Sequence, residues 1–319
     1  MLDERMVTSF DGTPIYASSE GDGPAVVLCD GLGCDGFIWR YLRPALLTSY
    51  RVVHWNLRGH GQSGTPEARD ALGIEASRQD VMAVLDAFGL DRVALVGHSM
   101  GVQVTCEVAL RHPERVAALV SICGAYGQPL TTFHNVNLLG RIWPWVNGAT
   151  ARFPEAARWL WKKTLASELL YRYATAFEVS APLVERRDLQ PYFDHLLRMD
   201  VEVFARMAAA AERHSVEDEL ERIVAPTLVI GGAKDTFTPT WIARRMARLV
   251  PGAELCVLPG GTHVAPIELP EMLWLTLEPF LHRHLPRDER SRPLDEAQAT
   301  TPAPRRRRRT ARAPLESTE

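Results

Sequence analysis

The sequence predicts an α/β domain: a mostly parallel β-sheet with helices on both faces and a helical insertion within it. Six short apolar segments show no polar alternation, which is typical of parallel strands buried on both faces. They occupy residues 25–29, 51–55, 93–96, 116–122, 227–230 and 254–258. Helical stretches separate them, and a long interruption divides the fourth from the fifth. This alternation predicts strands joined by helical crossovers in one sheet.

The elements around these strands follow from the same patterns. Residues 76–88 place four apolar side chains on one stripe of a helix, and Gly89 ends it. At the N-terminus, residues 5–10 and 13–17 alternate in polarity around the Asp-Gly pair at 11–12. This arrangement predicts an antiparallel hairpin at the edge of the sheet.

The composition is that of a globular protein. With 319 residues, 46% of them hydrophobic and 24% charged, the chain is long enough to bury one core of this class. A net charge of −3 argues against a nucleic-acid-binding core. Five scattered cysteines without a Cys-x-x-Cys pair indicate free thiols and no metal site. Since neither a signal peptide nor a membrane-spanning run is recognisable, we expect a cytoplasmic protein.

The chain divides into four parts by composition. Residues 1–125 and 216–285 carry the sheet, and residues 126–215 form a helical cap rich in aromatic side chains. Residues 286–319 are rich in Pro, Ala and Arg, which predicts a disordered tail. The arginine run at 305–309 fits either an anionic partner or a solvated extension. The lack of aromatic residues within the run favours the extension.

The sharpest functional motif is Gly-His-Ser-Met-Gly at 97–101, which follows a predicted strand and precedes a helix. A serine on such a tight turn presents its hydroxyl above the sheet, and glycines on either side leave room for it. The helix that follows points its N-terminal amides at developing negative charge. The pattern therefore predicts that Ser99 is a nucleophile.

A serine hydroxyl needs a base, and two later residues complete the set. His263 lies in a glycine-rich loop after one strand, and Asp235 follows another. Loops at the carboxyl ends of parallel strands converge on one site. The chain order Ser, Asp, His therefore predicts His263 as the base and Asp235 as its orienting acid. His98 and His60 are expected to have packing roles.

Two backbone amides are predicted to stabilise a tetrahedral oxyanion. One belongs to Met100, the residue after the nucleophile. The other belongs to the loop at 30–33, where Leu32 is the first choice and Gly33 the second. Glycines in that loop allow the backbone to approach a substrate closely.

These motifs resemble those of the α/β-hydrolase superfamily, in its cap-bearing branch of esterases, lipases and C–C hydrolases. The resemblance spans roughly residues 1–285. It rests on DGLG at 30–33, NLRGHGQS at 56–63, GHSMG at 97–101, GGAKDTFTP at 231–239 and GGTH at 260–263. It implies acyl transfer to water through an acyl-serine, with no cofactor. His263 would take the Ser99 proton and then activate the water.

Two positions depart from the usual pattern of that family. The oxyanion loop begins with Asp30 where histidine is usual, and the next strand is followed by Asn56 where aspartate is usual. A carboxylate at the site would oppose the charge that develops on the oxyanion. We therefore predict that the Asp30 side chain turns away into hydrogen bonds, with Arg58 as its partner.

The leading hypothesis is hydrolysis of a small-molecule carboxylic ester with an apolar acyl or aromatic group, because the cap is rich in aromatic residues. The same aromatic residues could instead form the core of the cap. C–C bond hydrolysis of aromatic meta-cleavage products and a cofactor-free perhydrolase are alternatives within the family. A ligand-binding receptor on the same fold is the non-enzymatic alternative, although a receptor need not keep the three triad residues together.

Overall fold

A computed structural model describes residues 1–168, 172 and 179–285 of the chain. Within these residues one sheet has the strand order β1-β2-β4-β3-β5-β6-β7-β8. The strands are β1 (Asp3–Thr8), β2 (Pro14–Glu20), β3 (Ala25–Cys29), β4 (Arg51–Trp55), β5 (Val93–His98), β6 (Val116–Ile122), β7 (Thr227–Gly232) and β8 (Glu254–Leu258). Strand β2 is antiparallel to β1 and β4, and the other neighbouring strands are parallel. The predicted fold class, including the hairpin at the sheet edge, is confirmed.

The helices lie between and after these strands, with short 3₁₀ turns in some connections. They are α1 (Leu42–Leu46), α2 (Ile74–Ala87), α3 (Met100–Arg111), α4 (Pro129–Thr132), α5 (Leu138–Arg152), α6 (Pro154–Leu165), α7 (Arg186–Arg198), α8 (Val201–Arg213), α9 (Thr240–Leu249), α10 (Ala265–Glu268) and α11 (Pro270–His284). The helix expected at 76–88 is α2, and Gly89 after it has a left-handed φ of 63°. No described helix is both long and apolar enough to cross a membrane.

The sheet is buried on both faces, because adjacent residues of each central strand enter different cores. Val27 and Leu95 pack with α2, α3 and α9 on one face. Their neighbours Leu28 and Val96 pack with α1 and α11 on the other face. Both cores therefore contain apolar side chains from the same strands. This explains why the sequences of these strands do not alternate between apolar and polar residues. All five cysteines lie within the described residues and are free thiols.

Helices α4 to α8 form an insertion between β6 and β7. The two ends of the insertion meet at an isolated antiparallel bridge between Gly127 and Ser215. Beside it, the Val216 amide donates to the Tyr126 carbonyl at 3.0 Å. Part of the predicted cap and the whole tail predicted at 286–319, with its arginine run, lie outside the described residues.

Candidate active site

Ser99 occupies a strained turn between β5 and α3. Its φ of 53° and ψ of −121° are rarely adopted by a residue with a side chain. A Cβ on Gly97 would lie 2.6 Å from the Gly101 carbonyl oxygen, and one on Gly101 would lie 2.2 Å from the Cys29 carbonyl oxygen. Both positions therefore require glycine, and the turn holds the serine hydroxyl at the carboxyl edge of the sheet.

The three predicted triad side chains form a continuous hydrogen-bonded series. The Ser99 hydroxyl lies 2.9 Å from His263 Nε2. On the other side of the ring, His263 Nδ1 lies 3.0 Å from Asp235 Oδ2 and 3.2 Å from Oδ1. Because a carboxylate only accepts, Nδ1 carries the proton and Nε2 is free to accept one from the serine. The structure thus brings together residues from the ends of β5, β7 and β8.

The Asp235 carboxylate is fully buried, and its surroundings keep it ionised. It accepts hydrogen bonds from the Phe237 amide at 2.9 Å, the Thr238 amide at 2.8 Å and the Thr238 hydroxyl at 2.7 Å. Burial alone would raise the pKa of Asp235, but His263 and the Thr238 donors together hold that pKa below its usual value. The carboxylate can therefore fix one tautomer of His263 and stabilise the imidazolium ion.

The rings of His98 and Phe237 both contact the His263 ring. His98 Nε2 donates to the His263 carbonyl oxygen at 2.9 Å, so the expected packing role of His98 includes a backbone hydrogen bond. The Phe237 ring stacks on the His263 ring with centroids 4.8 Å apart. Phe237 was not singled out by the sequence analysis. The signal that could have identified Phe237 is its position two residues after Asp235, in the same loop.

Glu268 is a second residue that the sequence analysis missed. Its buried carboxylate accepts from the Thr262 amide and the Thr262 hydroxyl, each at 2.7 Å, and from the Ser180 amide at 2.6 Å. These bonds fix the residue directly before His263 and tie it to the insertion. No sequence motif marks this role, because Glu268 lies on α10 and reaches the loop only through the fold.

The backbone amides of Leu32, Gly33 and Met100 differ in whether they already donate a hydrogen bond. Within the described residues, neither the Leu32 nor the Met100 amide donates a hydrogen bond. The Gly33 amide, by contrast, donates to His60 Nε2 at 3.0 Å, and His60 Nδ1 donates to the Arg58 carbonyl at 3.1 Å. The second-choice amide is therefore occupied, and Leu32 and Met100 remain the available pair. Burial lowers the pKa of His60 to about 4, which keeps it neutral and able to accept.

Asp30 turns away into hydrogen bonds, but the predicted partner was wrong. Its fully buried carboxylate accepts from Trp39 Nε1 at 2.6 Å and pairs with His54 Nε2 at 2.8 Å. Arg58 instead binds Asp80 at 2.6 and 2.8 Å. The reason is geometric: Trp39 belongs to the core beside α1 and α11, whereas Asp80 lies on α2 across the sheet.

The aromatic residues of the insertion have more than one environment. Trp143, Trp161 and Phe204 pack together, and the two indole N–H groups donate to the Ala205 and Leu196 carbonyls. These three partly buried residues therefore pack within the insertion, and Trp161 and Phe204 also contact the main core. Tyr171, Tyr173 and Phe177, which also belong to the aromatic cap predicted from the sequence, lie outside the described residues.

A polar cavity of about 640 Å³ lies beside the oxyanion loop. Asp35 and His54 line it from the sheet side, and His195 lines it from α7. None of the three triad residues is part of its lining. The cavity is therefore distinct from the site around Ser99.

Comparisons with known proteins identify the family and the fold of the chain. A family model described as alpha/beta hydrolase fold matches residues 24–270. A relative from Caulobacter sp. named as a carbamate hydrolase, RutD, is 27% identical over 269 residues, which cover 81% of this chain and 90% of the relative. A solved hydrolase from Pseudomonas aeruginosa PA01 has a TM-score of 0.71 and 25% identity, covering 88% of this chain and 98% of its own. The enol-lactonase from Burkholderia xenovorans shares the fold, with a TM-score of 0.71, 24% identity, and coverage of 88% and 99%.

Proposed function

Because the chain belongs to the α/β-hydrolase family, we propose that it is a serine hydrolase that cleaves a carboxylic ester with an apolar acyl or aromatic group. The observation that carries the proposal is the hydrogen-bonded series of Ser99, His263 and Asp235 at the carboxyl edge of the sheet. A receptor on this fold would have no need of a serine hydroxyl 2.9 Å from an imidazole whose tautomer is fixed.

In the proposed reaction, Ser99 Oγ attacks the ester carbonyl while His263 Nε2 takes the hydroxyl proton. The Asp235 carboxylate stabilises the imidazolium, and the amides of Leu32 and Met100 donate to the oxyanion. Collapse of the tetrahedral intermediate breaks the bond to the alcohol oxygen, which leaves with the proton from His263. Water then attacks the acyl-serine and gives a proton to His263. The bond between the acyl carbon and Ser99 Oγ breaks, His263 returns the proton to Oγ, and the carboxylic acid leaves.

The preference for an apolar group rests on the side chains nearest the base. The Phe237 ring that stacks on His263 also contacts the Phe133 ring, with centroids 4.6 Å apart. In the oxyanion loop, the partly buried Leu32 side chain packs against the apolar core. An apolar acyl chain in contact with such side chains would be removed from water beside the reacting carbonyl.

A carbamate is the second candidate substrate, favoured by the relative named as a carbamate hydrolase. Its carbonyl carbon carries nitrogen in place of the acyl carbon, so the same nucleophile and oxyanion donors would serve. The C–C hydrolase and perhydrolase alternatives use a triad of the same kind and differ in the bond broken or in the attacking peroxide.

The proposal is tested by labelling with a fluorophosphonate probe, using wild type and Ser99→Ala. We expect labelling of wild type only; an unlabelled wild type, or equal labelling of both, would refute the assignment of Ser99. A series of p-nitrophenyl esters from acetyl to dodecanoyl then measures kcat/KM, with a p-nitrophenyl carbamate and a meta-cleavage product beside it. A maximum at acetyl would reject the apolar acyl group, and faster turnover of the carbamate or of the C–C substrate would reassign the reaction.

A further inference from the structure

Exposed apolar side chains are concentrated on two consecutive helices of the insertion, α5 and α6. Eight large apolar side chains in this stretch are between 37% and 82% exposed. They are Val136, Leu138, Ile142, Trp145, Val146, Phe153, Trp159 and Leu160. We call this set the hairpin face. Soluble proteins rarely leave such a concentration of apolar surface in water unless it contacts a partner or a membrane.

The side chains of the hairpin face are distinct from those by which α5 and α6 contact the rest of the insertion. On α5, Leu138, Ile142 and Trp145 follow the spacing i, i+4, i+7 of one helical face and are all exposed. Trp143 and Trp161, by contrast, point inward against α8 and α7. The outward apolar stripe is therefore additional to the stripe that each helix needs for folding.

The tryptophans of the two sides differ in their hydrogen bonds. The inner Trp143 and Trp161 donate to backbone carbonyls at 3.1 and 2.8 Å. The outer Trp145 and Trp159 are 82% and 63% exposed. Within the described part of the chain, neither outer indole N–H donates a hydrogen bond. An apolar ring with such an N–H group is enriched where hydrocarbon meets polar headgroups.

The stretch of chain that carries the hairpin face has a positive net charge, although Arg158 also lies 4.0 Å from the Asp200 carboxylate outside it. Residues 136–165 contain five basic side chains and one acidic side chain, a net charge of +4, whereas the whole chain has −3. The basic residues are Arg141, Arg152, Arg158, Lys162 and Lys163, all exposed. Lys163 Nζ lies 4.8 Å from the Trp159 ring centroid, so cationic and aromatic groups are interleaved. The single acid, Glu155, is paired with Arg158 at 2.8 Å.

We propose that the hairpin face docks on an anionic lipid surface. Exposed Trp, Phe and Leu surrounded by Lys and Arg are the composition by which helices lie in the interface of a negatively charged bilayer. A symmetric contact with a second copy of the chain would place a charge of +4 against another +4, which disfavours self-association. The proposal concerns binding at the surface and does not depend on the reaction at Ser99.

The test is vesicle sedimentation of the full chain at low salt, with pure phosphatidylcholine vesicles beside vesicles containing 30% phosphatidylglycerol. We expect at least about tenfold tighter binding to the anionic vesicles, and its loss at high salt, because the basic side chains are attracted to the negative lipid surface. The triple variant Trp145→Ser, Phe153→Ser, Trp159→Ser should lower this binding at least about tenfold, because it removes the apolar anchors.

A matched control uses exposed apolar residues elsewhere: Met6→Ser, Val224→Ser and Leu275→Ser together. These side chains are 55%, 76% and 70% exposed, similar to the three anchors. The control variant should bind vesicles as wild type does. Both triple variants should keep the unfolding midpoint and the rate of hydrolysis of a short soluble ester, since none of these residues contacts the triad.

Four results would overturn the proposal. Wild type could fail to sediment with anionic vesicles, or bind neutral vesicles equally well. The anchor variant could bind as tightly as wild type while replacement of the arginines at 305–309 by glutamine abolishes binding, which would assign binding to the tail. Light scattering could show a dimer of wild type that the anchor variant loses, which would assign the face to a second copy.

Discussion

The described residues include two aspartate–histidine pairs with a fully buried carboxylate, which look alike and differ in their third partner. Asp235 and His263 lie 3.0 Å apart, and Asp30 and His54 lie 2.8 Å apart. Both carboxylates are shielded from water. The difference is the third partner: the far nitrogen of His263 reaches the Ser99 hydroxyl, whereas in the described chain that of His54 has no hydrogen-bond partner.

The comparison shows that position decides the chemistry of such a pair. His54 lies within β4 and lines the polar cavity, while His263 lies on a loop at the carboxyl edge of the sheet. Asp30 also accepts from the Trp39 indole, so its carboxylate is satisfied locally. We therefore interpret the second pair as a way to keep an unusual carboxylate beside the oxyanion loop without directing it at the substrate.

The largest expected effect separates the two pairs directly. In Asp235→Asn, the amide would donate toward Nδ1 and leave the proton on Nε2, so His263 could not accept the serine proton. We expect kcat on a p-nitrophenyl ester to fall about 10⁴-fold. The urea unfolding midpoint serves as the folding control. A loss below about tenfold would mean that Asp235 does not orient the base.

The next largest effect is expected on the free energy of unfolding, and it comes from the buried histidines His60 and His98. Burial lowers the pKa of His60 and of His98 to about 4, from an ordinary 6.5. Between these values the unfolded chain binds a proton that the folded chain does not, so the free energy of unfolding falls as the pH drops through this window. Integrated to pH 4, each histidine contributes a loss of about 3 kcal/mol.

This prediction is measured by urea unfolding at pH 7.5 and pH 5. His60→Gln keeps an acceptor for the Gly33 amide but removes the titration, so it should reduce the loss between the two pH values by about 2 kcal/mol. His282→Gln, at an exposed position, is the matched control and should leave the loss unchanged. An unchanged loss in His60→Gln would contradict the assigned role of burial.

A smaller effect is expected at the second pair. Asp30→Asn keeps one oxygen acceptor and removes the negative charge. The single oxygen can serve only one of Trp39 and His54, so the other loses its hydrogen bond to this side chain. We expect unfolding to become easier by about 1–3 kcal/mol, with kcat within about tenfold of wild type. Urea unfolding and ester turnover measure the two quantities. If kcat instead fell as far as in Asp235→Asn, the two pairs would not be functionally distinct.

The smallest expected effect concerns the ring that stacks on His263. Phe237→Leu removes the stacking contact while keeping an apolar side chain, and should lower kcat/KM about fivefold, equivalent to about 1 kcal/mol. Phe237→Tyr keeps the ring and should behave as wild type. Equal losses of kcat/KM in the two variants would contradict a role for ring stacking on His263.

The features that could be predicted from the sequence are those set by local patterns of residues. The strands at 25–29 and 51–55 have the predicted bounds, because buried parallel strands are continuous apolar runs between turns. The sequence singled out Ser99, Asp235 and His263 because each follows a strand at the same edge of the sheet, and the structure places them in one hydrogen-bonded series. The partner of Asp30 and the contacts of Glu268 were not found, since both depend on which face of the sheet a distant side chain reaches.

The closing bridge between Gly127 and Ser215 has a consequence for how such a molecule can diversify. Because the two ends of the insertion are backbone neighbours, the stretch between them can be exchanged for a longer or shorter one without displacing β6 or β7. An exchange with crossovers near residues 127 and 215 would replace the aromatic helices together and leave Ser99, Asp235 and His263 in place. Selectivity would then change without altering these three residues.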